Sequence, residues 1–177
     1  MAFDINRLRR SDRVVGVSAI AFFVFLFFFK WYGGSATASI GSVSYSASAN
    51  GWHTFTNSRW IWLLTIIVGL VAVWLHASGR DLEGPIHIGL IVASLGGLST
   101  VLILFRILHH PSGGSSGTVA GVHFSSSYGI KIGIWLGLIA AAALTYGGYL
   151  AMRDEGASLG DPLGERSAAG ADDPRAA

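Results

Sequence analysis

Cysteine is absent from the 177 residues. That excludes a disulfide, a thiolate metal site and a covalently attached c-type haem. Charge is scarce, at 12% Asp, Glu, Lys and Arg, about half the share usual in soluble globular domains. No Asp or Glu falls inside a long apolar run. The acidic relay that pumps and ion-coupled carriers depend on is therefore missing. There is no nucleophile elbow, HExxH zinc motif, phosphate loop or dinucleotide fingerprint. A Ser, His and Asp set cannot assemble in the longer loops, because they hold no Asp. These absences argue against an enzyme, and no cofactor or metal is expected. The pI near 9.2 reflects a net charge of only +2, which is no argument for nucleic acid.

What the chain has instead is hydrophobicity. Half the residues are apolar, at 51%, and the mean hydropathy is +0.54. They gather in four blocks, Val14 to Phe29, Trp60 to Leu75, Ile86 to Phe105 and Ile132 to Leu150. Each reaches, or nearly reaches, the length that crosses a hydrocarbon core of about 30 Å. With flanking residues the predicted helices cover about 14–32, 59–77, 86–108 and 129–152. The expected fold class is an all-α transmembrane four-helix bundle, up-down-up-down, with a small extracytoplasmic β element made by the two outer loops. Residues 1–13 form a basic arm, 33–58 and 109–128 the outer loops, and 153–177 a disordered tail. Cleavage of the first block as a signal peptide is the alternative, suggested by the basic start and the SATASIG segment that follows. A long core ending in bulky aromatics favours retention.

Orientation follows from the basic residues. With both ends inside, Arg7, Arg9, Arg10, Arg13, Arg80, Arg153, Arg166 and Arg175 are inner, and Lys30, Arg59, Arg106 and Lys131 are outer. All ten carboxylates also fall on the inner side. The expectation is a multi-pass protein of a bacterial plasma membrane with both termini cytoplasmic.

The outer loops have strand-like order. Val43, Tyr45, Ala47 and Ala49 alternate with serines, and Ala36, Ala38 and Ile40 alternate in the other phase, with Gly41 at the break. The second loop offers TVAGVHFSS as a further strand. Val43, Tyr45, Val122 and Phe124 are the candidate outer-strand assembly residues. Small residues recur four apart in the third and fourth blocks, at Gly89, Ala93 and Gly97 and at Gly133, Gly137 and Ala141, a spacing that lets helix backbones approach closely. Trp31, Trp52, Trp60, Trp62 and Trp135 suit an outer aromatic belt, and Trp74 an inner one.

The outer cations Lys30, Arg59, Arg106 and Lys131 admit two readings. They form a collar that contacts an anionic lipid, or they snorkel and anchor helix ends. The histidines are read cautiously. A zinc site from His53, His109 or His110, and His123 lacks ligand spacing. His76 and His87 flank the inner link at similar depth, but surface histidines explain them more simply than axial haem ligands.

The segments FFFKWYG, GWHTFTNSRWIWLL, LGGLSTVLILFRILHHP and YGIKIGIWLGLIAAAALTYGGYLAMRDEG resemble a group of uncharacterised small four-helix membrane proteins of actinobacteria. The resemblance spans about residues 7 to 156 and implies no function. Related chains carry Pro before the WYG, where this one has Lys30, so residue 30 departs from their pattern. The leading functional expectation is a structural or interaction protein that self-assembles, or binds an envelope partner, through its outer loops. Its partners would be membrane lipids and a second copy or an envelope protein. The alternatives are a lipid, small-molecule or ion-handling module, including an oligomeric pore, and a membrane enzyme.

Overall fold

A computed structural model describes residues 8–39, 43–79, 87–109 and 113–155. The tail from 156 onward, the inner link 80–86, Gly41, His110 and most of the basic arm lie outside the described residues. Four long helices are present: α1 (Arg10–Phe28), α3 (Arg59–Ala77), α4 (Ile88–Leu108) and α5 (Ile132–Asp154). All four are long and apolar enough to cross a membrane. At 19 to 23 residues they reach about 28–35 Å, which matches a bilayer core. A fifth helix, α2 (Gly51–Thr54), is a single turn whose Asn50 cap accepts a bond from the His53 amide at 3.1 Å.

The all-α expectation is overturned. Between the helices lies a four-stranded antiparallel sheet, made of β1 (Lys30–Ala38), β2 (Val43–Asn50), β3 (Gly113–Val119) and β4 (Val122–Ile130) in the order β2-β1-β4-β3. Each outer loop is almost entirely a hairpin. The physical reason lies in the helices beneath. α1 runs into β1 after one residue, and β4 runs into α5 after one residue. α1 packs on α5, so β1 and β4 emerge side by side and pair over seven residues, from Tyr32↔Ile130 to Ala38↔Phe124. Two marginal hairpins thereby become one sheet. Lys30 to Tyr32, expected to end the first helix, instead open β1. The β3–β4 turn is tight, with Ala120 at φ 52° and Gly121 at φ 82°. Positive φ at both central residues is the geometry of a two-residue hairpin loop.

The long helices form a closed ring. α5 packs against α4 and α1, and α3 touches both α1 and α4. The outer half of the core holds Phe22, Leu26, Trp31, Trp62, Ile66, Ile103 and Ile134. The inner half holds Val15, Ala19, Ala72, Val92 and Leu144. One buried polar pair bridges two helices: the Thr65 and Ser99 hydroxyls lie 2.9 Å apart, and Thr65 also donates to the Ile61 carbonyl. Val17, Ile20, Val71, Val101 and Ile139 point outward and are exposed, as a lipid-facing surface requires.

Candidate functional site

The sheet has two chemically opposite faces. Side chains alternate along a strand, and the register aligns the alternation across all four strands. One face collects Ser48, Ser46 and Ser44 from β2, Ser35 and Thr37 from β1, Ser127, Ser125 and His123 from β4, and Ser116 and Thr118 from β3. Cross-strand hydroxyl bonds hold it: Ser35 to Ser127 at 2.9 Å, Thr37 to Ser125 at 2.6 Å, and Thr118 to the His123 ring at 2.7 Å. The other face is mainly apolar: it collects Ala49, Ala47 and Tyr45, then Tyr32 and Ala36, then Tyr128 and Phe124, and Val119, with Ser126 and Ser115 among them.

That apolar face is covered only near the helices. Tyr32 is buried, stacked on Tyr128 at 5.7 Å and edge-on to Phe55 at 5.5 Å. Burial, and to a lesser degree repulsion from the Tyr128 phenolate, push the Tyr32 phenol above its ordinary pKa, against the opposing pull of Arg106. Farther out the face is bare: Tyr45 is 70% exposed, Val119 68% and Phe124 47%. A cavity of about 390 Å³ lies on it, walled by Tyr32, Tyr45 and Tyr128. Of the four assembly candidates, Tyr45 and Phe124 are therefore on this open surface. Val122 is half-buried beside the turn. Val43 pairs with Ala38, and its side chain lies outside the description.

The four outer cations have two kinds of surroundings. Arg59 lies over the rings of Trp52 and Trp60 at 5.2 and 5.4 Å, and Arg106 lies over Phe55 at 5.0 Å. Lys30 and Lys131 instead flank a cleft of about 570 Å³ on the hydroxyl face. The tryptophan belt divides as well. Trp31 and Trp62 are fully buried in the core, while Trp60, Trp135 and Trp74 are exposed.

The small-residue faces are sorted in the same way. α4 and α5 do touch, but through a seam only partly anticipated. A Cβ on Gly89 would run into the backbone of Met152 and Ala151. One on Gly96 would stand 2.9 Å from the Thr145 nitrogen, and one on Gly148 would stand 2.5 Å from the Ala93 nitrogen. Gly97 meets only the Thr145 methyl, at 3.8 Å. Gly133 and Gly137 face neither neighbouring helix closely. They make room for Lys30 backbone and the Trp31 indole. Ala141 is buried in the outer core.

A second polar cluster sits at the opposite end of the ring, and each long helix supplies a member. Asp12, nearly fully buried near the start of α1, accepts the Arg9 amide at 2.9 Å and the Nδ1–H of His76, from α3, at 2.6 Å. Glu155, just past α5, lies 4.0 Å from His76 Nε2 and 3.6 Å from His87 Nδ1. It also accepts the Gly89 amide at 3.1 Å and so caps the first turn of α4. Asp154 accepts the Ser11 hydroxyl at 2.7 Å, tying α5 to α1. Burial raises the Glu155 pKa, against the opposing pull of the Gly89 amide, His76, His87 and Arg9. In the sequence these acids read only as inner charges. Their similar depth at the ends of two spans, the first and the last, was the signal that joins them.

The outer histidines stay apart. His53 pairs with Asn50 at 2.8 Å, His109 with the Phe105 carbonyl at 3.2 Å, and His123 with Thr118. No group of three His, Asp or Glu able to hold a metal occurs among the described residues. Gly113-Gly114-Ser115-Ser116-Gly117 has the spacing of a GxSxG motif, yet it lies within β3. A nucleophile elbow needs a sharp strand-to-helix turn. No protein-family model, curated protein or solved structure matches the chain.

Proposed function

We propose that the protein is a non-enzymatic scaffold of a bacterial plasma membrane, both termini cytoplasmic, that self-associates through the apolar face of its outer sheet. One observation carries the reading: a four-stranded sheet stands on four membrane-length helices with Tyr45, Phe124 and Val119 uncovered by their own chain. A single-layer sheet gains most of its stability when its apolar face is buried against another layer. The occupant argued for is a second copy. A face of four such strands spans about 24 by 19 Å, and with the end over Tyr32 already covered, two faces together bury less than about 900 Å², the range of a weak interface. Confinement to one bilayer supplies the rest, because it raises the effective concentration of one copy near another. Each copy carries its sheet at the same height above the same membrane. The face holds no charge, so like copies meet without repulsion.

The test is oligomer size in lipid nanodiscs and mild detergent for the Tyr45→Ser, Phe124→Ser double variant. The expected result is a shift from dimer to monomer with helicity unchanged. A wild-type protein that is monomeric at all concentrations, or a variant that assembles normally, sinks the proposal.

A further inference from the structure

We propose that the cleft between Lys30 and Lys131 binds the phosphorylated polyol headgroup of a membrane lipid. The cleft lies on the hydroxyl face, opposite the self-association face, so the two readings stand or fall separately.

Charge comes first. Lys30 and Lys131 are the only lysines in the chain, 101 positions apart, yet the pairing of β1 with β4 brings both to one cleft. No carboxylate occurs between Asp12 and Asp81 or between Glu83 and Asp154. The two ammonium groups therefore have no acidic partner from the outer half of their own chain, and an anion is the complementary ligand.

The lining supplies the second element. Ser35, Ser46, Ser48 and Ser127 border the cleft. Ser35 and Ser127 bond to each other, and each hydroxyl keeps further acceptor capacity. A row of hydroxyls across three strands suits a ligand that itself carries several hydroxyls. A bare carboxylate or hydrophobic anion would leave that row unused.

Glycine shapes the floor. A Cβ on Gly33 would stand 2.6 Å from Cε of Lys131. The missing side chain is what lets the Lys131 stem lie flat along the sheet. The volume, about 570 Å³, falls in the range of small-molecule sites and exceeds what a lone phosphate fills.

Position selects the lipid source over a free metabolite. Lys30 follows the last turn of α1, and Lys131 precedes the first turn of α5. Both sit where the apolar spans end, at the level of the headgroups, where cations meet lipid phosphates.

The experiment uses the full chain in phosphatidylcholine nanodiscs doped with phosphatidylinositol, phosphatidylglycerol or phosphatidylserine. Lipid retained on the protein is read by native mass spectrometry. Phosphatidylinositol and phosphatidylglycerol should be held in preference to phosphatidylserine, which is anionic but not a polyol. Lys30→Gln with Lys131→Gln should weaken that retention roughly 25-fold, at about fivefold for each lysine. Ser35→Ala with Ser127→Ala should erase the preference over phosphatidylserine while leaving helicity intact. Gly33→Val, which evicts Lys131 without changing charge, should mimic loss of one lysine. On the unaltered protein, retention should fall as ionic strength rises. Equal retention of all three anionic lipids, retention indifferent to salt, or wild-type retention by the double lysine variant overturns the proposal. So does binding of soluble inositol phosphate without any hold on the lipids, which would assign the cleft to a free ligand.

Discussion

The Trp31 indole occupies a notch on α5 that only glycine at 137 leaves open: a Cβ there would stand 2.5 Å from the ring carbon Cζ2. Trp31 belongs to β1, and its Nε1–H donates to the Phe25 carbonyl at 2.7 Å. The indole thus plugs the sheet into the ring of helices. Gly137→Val should expel the indole, break that bond and cost about 3 kcal/mol or more. A thermal melt in detergent, with a red shift of tryptophan emission, checks it. A variant that melts with the wild type contradicts the plug.

The α4–α5 seam gives a graded prediction. Gly96→Leu and Gly148→Leu place a bulky side chain against the facing backbone and should lower the melting temperature strongly. Gly97→Leu, one residue away on α4, meets no facing backbone and only the Thr145 methyl at 3.8 Å, and should cost far less than either. Equal effects at 96 and 97 would mean that the helix is rotated relative to this arrangement.

Asp12 and His76 should be energetically coupled. They join α1 to α3 at 2.6 Å, with the Asp12 side chain 4% exposed. A double-mutant cycle with Asp12→Asn and His76→Gln should return a coupling of about 1.5–3 kcal/mol. Additive losses would reduce the contact to mere proximity.

Glu155 should make stability depend on pH. Its pKa is raised mainly by burial. Below the ordinary carboxyl range it is protonated in folded and unfolded chains alike and exacts no penalty. As pH climbs from the ordinary value to the raised one, the unfolded chain ionises first and folding loses stability. Glu155→Gln should therefore stabilise the protein at neutral and alkaline pH and do little in acid. Melting temperatures of both proteins across the pH range test this, and a gain confined to acid pH would reverse the assigned sign. His76, His87, Arg9 and the Gly89 amide surround the group, so their contribution is read from the same series in His87→Gln.

Membrane orientation is testable because the chain has no cysteine. Single cysteines at Ser46 and Ser116, both on the sheet, should react in intact cells with an impermeant thiol reagent. A cysteine at Ser78, the cap after α3, should stay unlabelled. The reverse pattern would invert the topology.

The membrane helices were legible because hydropathy is a local property. A run such as Ile86 to Phe105 states its preference without reference to any other segment. The strands were half legible. Alternation in 42–49 pointed to a sheet, but not to its size, because a serine-rich and alanine-rich hairpin is marginal until it finds a second one. The surroundings of the four cations were not legible, for the opposite reason. Four cations at helix ends look alike in sequence, yet Arg59 and Arg106 have aromatic rings beneath them and the lysines have serines.

By itself the sequence determined four membrane-length helices, two longer loops free of carboxylates and a period of two within those loops. Only tertiary structure decided that the hairpins merge, that one face of their sheet is mostly hydroxyl and the other mostly apolar, and that Lys30 and Lys131 border one cleft. It also decided that Asp12, His76, His87 and Glu155 converge from four helices. The reason is separation along the chain. Hydropathy and alternation act between near neighbours, whereas pairing of β1 with β4 follows from α1 packing on α5, which no local pattern encodes.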